Sequence, residues 1–466
     1  MNGREKKQVY NPYLPLNEYI PDGEPRNFEG RVYIYGSHDK ENGERYCLLD
    51  YVCYSAPEED LTDWRCEGVI YRRDQDPHHA DDQYLYAPDV VRGPDGRYYL
   101  YYVLSEELEV AVAVSKGPAG PFEYYGRVHY PDGRILLENV PYDPGLLRDG
   151  DDTWLYFGFA PTFKMHKQFP EDLPGASVVK LSRDMLTVTD GPKVIMPPKE
   201  KAAGTEYEGH AFFEACSARK IGDWYFLIYD SENIHELCYA YSDRPDGGFH
   251  YGGTVISNAD IGYKGRQPCQ ANNNISNNHG GLAHDAHGNW YIFYHRHTHG
   301  HQFSRQGCAE PVKIDGSSIT QAEVTSCGLN GGPLEGKGTY PAAIACNLYG
   351  KPRGVGIPYM GRLKDQPYVT NEGSTYFVTN VNADAHLNFK YFDLEAPSRI
   401  QISLRGDRGV VLVRENDDLL AAVDFKGSDE FVSVCAPVQK QVTENACISL
   451  TYAGDGQVDI ESFTFG

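Results

Sequence analysis

Apolar positions along this chain fall in short dense bursts separated by turns, with no long helical stripe. One burst recurs five times: GRVYIYGSHD from Gly30, DGRYYLYYVLS from Asp95, GDDTWLYFGF from Gly150, IGDWYFLIYDS from Ile221 and HGNWYIFYHRH from His287. Each copy is a Gly- or Asp-containing turn feeding an aromatic run apolar at successive positions, the pattern of a strand buried on both faces. Copies follow one another at roughly 55 to 70 residues, the size of one four-stranded blade with its loops. This predicts an all-β fold opening with a five-bladed β-propeller over residues 1–318.

The pattern then changes. A Gly-rich passage from Gly328, GLNGGPLEGKGTYP, reads as part of a connection over 319–347. Beyond it stand STYFVTNV, HLNFKYFDL, RIQISLRG, GVVLVREN, LLAAVDF, FVSVCAPV, ISLTYAG and VDIESFTF. Short alternating runs at this density predict a β-sandwich over 348–466.

A second regularity lies within the first. About ten to thirteen residues before an aromatic of each repeat stands one ionisable residue in an apolar or Pro/Gly setting. These are Asp22 (IPDGEP), Asp89 (YAPDVV), Asp143 (PYDPGL), Glu214 (AFFEAC) and His279 (NNHGGL). Equivalent positions of a cyclic repeat are equivalent in space, so the five should ring one end of the axis. Singly, Asp22 and Asp143 read equally well as turn residues, and Asp89 as a brace for its strand. Together they crowd like charge, which costs stability unless a site uses it.

At these residues the sequence resembles glycoside hydrolase family 43, over roughly residues 8 to 330. NPYLPLNEYIPDGEP resembles the family's opening segment, YDPGLLRDGDDTWLYFG its second, FFEACSARKIGDWYFLIY its general-acid segment, NNHGGLAHDAHGNWYIFYHR its histidine segment, and SRQGCAEPVKI a later one. The resemblance implies Asp22 as general base, Asp143 as the carboxylate that tunes and orients the acid, Glu214 as general acid, and Arg305 as a substrate contact. It also implies a calcium ion beside His279. The chain departs from the family pattern in Glu-Ala-Cys after the acid and in Asn-Asn-His where Gly-x-Gly-His is usual. FKYFDL and VDIESFTF resemble family 6 carbohydrate-binding modules, although a buttress shielding one face of the propeller is the reading preferred for this domain.

The residues support the same division of labour. Hydrolysing an acetal needs a proton for the leaving oxygen and a water activated on the opposite face. Glu214, flanked by Phe212 and Phe213, suits a carboxyl kept protonated; Asp22, in a polar turn, suits the ionised base. Placed in opposed blades they leave room for a water, which predicts inversion at the anomeric carbon. Asp89, Phe212 and Arg305 are expected to contact substrate, and Tyr84, Tyr86 and Phe163 are further candidate sugar platforms. The run HRHTHGH puts His295, His297, His299 and His301 on alternating positions. No carboxylate or cysteine completes a metal set there, so His295 is expected to pack in blade five and the others to line the cleft mouth.

Composition narrows the partners. A net charge of −23 argues against nucleic acid and anionic membrane. The N-terminal MNGREKKQVY has no apolar h-region and the 11 cysteines include no C-x-x-C pair, which together point to a cytoplasmic protein with reduced thiols. The expected activity is exo-acting release of α-L-arabinofuranose from arabinoxylan-derived oligosaccharides. The alternatives are a β-D-xylosidase, a bifunctional enzyme, or a propeller that binds sugar without cleaving it.

Overall fold

Each aromatic repeat becomes the second strand of a blade: Arg31–Tyr35, Tyr98–Tyr102, Asp152–Phe157, Trp224–Ser231 and Trp290–His297. Nearly every residue of these strands is buried, because both faces pack against neighbouring blades. The computed structural model describes residues 8–105, 107–161, 172–356, 363, 365–439 and 442–466.

The blades are antiparallel meanders. Four have four strands, spanning residues 24–71, 89–127, 145–196 and 212–257, and the fifth has three, within 282–312. The innermost strands are Glu24–Phe28, Asp89–Arg92, Gly145–Asp149, Phe212–Ile221 and Leu282–His284. Five apolar cores fill the gaps between successive blades. One joins blades one and two through Tyr35, Tyr71 and Tyr102; the last joins blades five and one through Ile34, Ala283 and Phe293. The protein has the five-bladed β-propeller fold followed by a β-sandwich.

The N-terminal segment closes the ring. Tyr13 N–H donates to Gly307 O at 3.2 Å and Asn11 N–H to Ser326 O at 2.9 Å, fastening the chain start to blade five and to the strandless stretch beyond it. The Asn11 side chain, wholly buried, donates to Ala309 O, Glu310 Oε1 and Thr325 O and accepts from Ala309 N–H.

All eight C-terminal runs are strands, arranged in two six-stranded sheets around one apolar core. The expected connection over 319–347 is not merely a connection. Leu334–Glu335 and Asn347–Tyr349 extend one sheet beside His386–Glu395, and Gly338–Pro341 pairs with Val458–Phe465 in the other. At two to four residues each, and set among Gly-rich flanks, these strands are too short to show an alternating pattern. The sandwich meets the propeller through a buried polar contact: Lys390 Nζ lies 3.3 Å from Asp260 Oδ2 and 2.8 Å from Glu323 Oε1, and Asn347 donates to Asp260 at 3.0 Å. No helix among the described residues is long and apolar enough to cross a membrane.

Candidate active site

Asp22 and Asp143 each stand two residues before an innermost strand, and both adopt left-handed backbone, φ 55° and 48°. Aspartate tolerates this region better than most residues. The shared strain shows that blades one and three present these two side chains in the same way. Glu214 lies within its strand, where the pairing with Trp224–Ser231 slips between Glu214 and Ser217 and Ala215 takes φ 70°. A bulge of this kind re-aims side chains, and here it turns the Ala215 N–H onto Asp143 Oδ2 at 3.1 Å.

His279 joins the two aspartates, its Nδ1 lying 3.9 Å from Asp22 Oδ1 and 3.8 Å from Asp143 Oδ2. Arg305 holds Asp22: Nη1 donates to Asp22 Oδ1 at 2.9 Å, while Nε and Nη2 grip Asp39 at 2.9 and 3.1 Å. Tyr46 lies over the guanidinium at 4.6 Å. Behind Asp22, His295 is wholly buried; its Nδ1 accepts from Asp22 N–H at 3.2 Å and Nε2 donates to Asn277 O at 3.0 Å. That pattern uses one ring nitrogen as donor and one as acceptor, so the imidazole is neutral. Burial, with Arg305 and His279 nearby, holds its pKa well below the ordinary value.

The electrostatics separate the carboxyls. Burial and the charge of Asp22 push Glu214 up to about 8, against the opposing Arg305 and the nearby Asn277 side chain. Asp143 also rises to about 8, from burial, opposed by His279 and reinforced by Glu214 and Asp22. Exposure distinguishes the two. Asp143 is 4% exposed and takes the Ala215 N–H, whereas Glu214 is partly exposed. The carboxyl that is both protonated near neutrality and reachable is therefore Glu214.

Two expected site residues are elsewhere. Asp89 pairs with Tyr101 as Glu24 does with Tyr35 and Gly145 with Tyr156. It is thus in register with Glu24 and Gly145, two residues further along the axis than Asp22 and Asp143. There Arg26 forks onto it, Leu146 N–H donates to it at 2.6 Å, and Arg219 pairs with neighbouring Glu24 at 2.7 Å. It braces three blades from beneath the site. Phe212 is 0% exposed in the core between blades three and four, beside Tyr229, and has no face for a sugar. The side chain facing the other way is Phe213, which continues an aromatic arc through Phe159, Tyr142 and Tyr86. Tyr84 is half-buried under Arg73, and Phe163 lies outside the described residues.

The histidine run also differs from expectation. His299 and His301 are buried and bonded internally, to Tyr19 and Thr298 and to Phe303 N–H and Ser304, so they do not line the mouth. Sequence reasoning missed Asp39, Tyr46 and Asn277. Asp39 closes the first aromatic repeat, four residues past Tyr35, where the other repeats carry no acid. Tyr46 and Asn277 reach the site from loops without repeat register.

For a metal, the axis offers His279 and, against Gly281 two residues on, the buried Glu24 Oε2, which has no hydrogen-bond partner. One imidazole and one spare oxygen suit a hard cation that keeps most of its waters. A separate cluster of His210, Glu236 and Cys238 is better satisfied as it stands. Glu236 accepts from His210 at 2.7 Å and from Ser231, Asn233 and Thr254. Against its burial, the hydrogen bond and charge of His210 hold Glu236 down at about 2.

The profile described as Glycosyl hydrolases family 43 matches residues 26–317. The chain belongs to glycoside hydrolase family 43. This family 43 protein is 45% identical, over 98% of its length and 99% of the relative's, to a xylosidase/arabinosidase of Thermoclostridium stercorarium. It is a glycosidase of the xylosidase/arabinosidase group. Among solved structures it resembles a family 43 arabinoxylan arabinofuranohydrolase from Bacillus subtilis in complex with cellotetraose, at 17% identity and TM-score 0.51 over 98% of this chain and 97% of that one. It also resembles a family 43 β-xylosidase/α-arabinofuranosidase from a compost metagenome in complex with xylotriose, calcium-free form, at 23% identity and TM-score 0.52 over 68% and 98%. These two likenesses bear on the fold alone.

Proposed function

We propose that this glycosidase is exo-acting and inverting, and removes α-L-arabinofuranose from arabinoxylan-type oligosaccharides. In this reading Glu214 is the general acid, Asp22 the general base and Asp143 the residue that keeps the acid protonated. The observation that carries it is the pairing of a partly exposed Glu214, its carboxyl lifted by burial and by Asp22, with an Asp22 ion-paired to Arg305, the two coming from non-adjacent blades four and one.

The Glu214 proton passes to the glycosidic oxygen as the bond to the anomeric carbon breaks. Asp22 takes a proton from the water attacking the opposite face. Arg305, clamped by Asp39, fixes the Asp22 carboxylate so that its oxygen is aimed before substrate arrives. Tyr46 and Tyr86, both partly exposed, are aromatic surfaces for the sugar. Calcium belongs to the same reading: His279 and waters would hold it on the axis, where it would supply positive charge beneath the carboxylates.

A β-D-xylosidase, alone or with arabinosidase activity, is the second reading, favoured by the combined name of the Thermoclostridium relative. Rates on 4-nitrophenyl α-L-arabinofuranoside and β-D-xyloside decide between them. Glu214→Ala should lower kcat on unactivated oligosaccharides by about 10²-fold or more; full activity in this variant removes the acid assignment. Proton NMR of the first-formed anomer tests inversion, and a retained configuration rejects it.

A further inference from the structure

One cavity lies apart from the catalytic carboxyls, where blade five meets the sandwich. It holds about 410 Å³ of space, part of it open to solvent. Asn258, Arg296 and His297 line it from the propeller, and Leu348, Pro367 and Tyr368 from the sandwich. Its two walls are tied together: Val369 N–H donates to Thr298 O at 2.9 Å, and Leu348 N–H to Asn273 Oδ1 at 2.8 Å. The link to the catalytic centre is indirect. The His297 and His295 rings meet edge to face, with centroids 5.4 Å apart, and His295 in turn backs Asp22.

Four buried polar atoms of these lining residues have no hydrogen-bond partner: Arg296 Nη1, both ring nitrogens of His297, and Asn258 Oδ1. Arg296 and Asn258 are only 6% and 2% exposed. Arg296 Nη2 donates to Ala345 O at 2.9 Å, and Asn258 Nδ2 to Ser276 O at 2.9 Å. Those bonds fix how each group is turned, so Nη1 is a donor and Oδ1 an acceptor. Buried polar atoms without partners are rare because each forfeits its bonds to water. Four of them around one cavity mark a place for a ligand.

The chemistry of that ligand follows from the atoms it must answer. Burial, with His295, Arg305 and His301 nearby, keeps His297 neutral, so one ring nitrogen donates and the other accepts. The set is two donors and two acceptors. A cation would meet the Arg296 guanidinium, and an anion would leave Asn258 and one His297 nitrogen bare. Hydroxyl groups both give and accept, and two or three neighbouring ones, as on a pentose ring, can answer all four atoms. We propose that this cavity is a second saccharide site, separate from the catalytic carboxyls, in which Arg296, His297 and Asn258 bind the hydroxylated edge of a pentose unit. Tyr368 and Leu348 would face its carbon skeleton. The site rests on the cavity's own donors and acceptors; the choice of a pentose rests on the proposed function.

The experiment titrates S-linked xylotriose, whose sulfur linkages resist hydrolysis, into wild type and His297→Phe by calorimetry. Phenylalanine keeps an aromatic ring and removes both nitrogens. Neither nitrogen has a partner within the protein, so the sugar-free variant should melt at or above the wild-type temperature. Wild type should show two binding events, one at the catalytic carboxyls and one in the cavity. In His297→Phe one of the two should weaken by about tenfold or more, while inhibition of aryl glycoside cleavage by the same probe is unchanged. Asn274→Trp, at a partly exposed lining position, fills the cavity without touching the four bare atoms and should remove the same event, so the test stands even if His297→Phe folds poorly.

Identical titrations of wild type and both variants overturn the proposal. So does a single event that weakens together with inhibition of cleavage, which would place His297 in the catalytic cleft. Displacement of the probe by chloride at constant ionic strength, lost in His297→Phe, would make the cavity an anion site and overturns it too. Failure of the proposed function reads differently: an event lost in His297→Phe, from a probe that never inhibits cleavage, keeps the cavity site and counts against a xylan-type substrate.

Discussion

Asp143 bears a cost that its neighbours explain. Burial, with Glu214 and Asp22 close by, lifts its carboxyl to about 8 despite His279, whereas an unfolded aspartate titrates near 4. A group whose folded pKa is raised contributes stability that is full below its unfolded pKa and lost as pH rises through the folded value. Wild type should therefore lose stability between about pH 4 and pH 8 on account of this residue. Asp143→Asn, which cannot ionise, should match wild type near pH 4 and exceed it in thermal midpoint by several degrees near pH 8. Calorimetry across that range checks it, and a constant difference between the two proteins removes the explanation. At this scale the sequence revealed Asp22, Asp143, Glu214 and His279, because each sits at a fixed offset from its aromatic strand. It misled at Asp89, which pairs within its strand in the register of Glu24 and Gly145, two residues past Asp22 and Asp143, and at Phe212, because alternation on a strand sends Phe212 and Phe213 to opposite faces.

At the scale of elements, the ring is closed by a short N-terminal segment rather than by a full fourth strand of blade five. Asn11 concentrates that closure, with three donated bonds and one accepted, all buried. Its partner Glu310, raised to about 8 by burial, is also bonded by Thr325. Asn11→Ala would leave several backbone and carboxyl groups buried without partners. A loss of roughly 2 to 4 kcal/mol is expected, measurable as a lower urea midpoint; a change under about 0.5 kcal/mol would mean that the closure does not depend on this side chain. The bulge at Ala215 and the strained aspartates belong to this scale too. Aromatic runs and turn residues announced every second strand, whereas bulges and closures depend on which strand lies alongside, and that is not written in local pattern.

For the whole molecule, the contact between propeller and sandwich is the feature sequence could not supply. Lys390 is buried between Asp260 and Glu323, and Tyr391 also donates to Glu323 at 2.7 Å. The sandwich also reaches the rim near Arg305, where Tyr376 bonds Glu41 and Asn42 donates to Asn371 at 3.1 Å. Such a joint fits a buttress. Lys390→Met should destabilise by about 3 kcal/mol, because it strands buried carboxylates, while kcat on a small aryl glycoside stays near wild type. A large kcat loss in folded Lys390→Met would show instead that the joint shapes the site.

The repeat of aromatic strands, their spacing and the ionisable residue ahead of each were sufficient to determine a five-bladed ring with carboxyls at one end. Local pattern is enough there because every blade solves the same packing problem. Tertiary structure alone decided which carboxyl is both protonated and reachable, which arginine fixes Asp22, and which face Phe212 presents. Those outcomes depend on burial and on charges brought together from blades one, three, four and five.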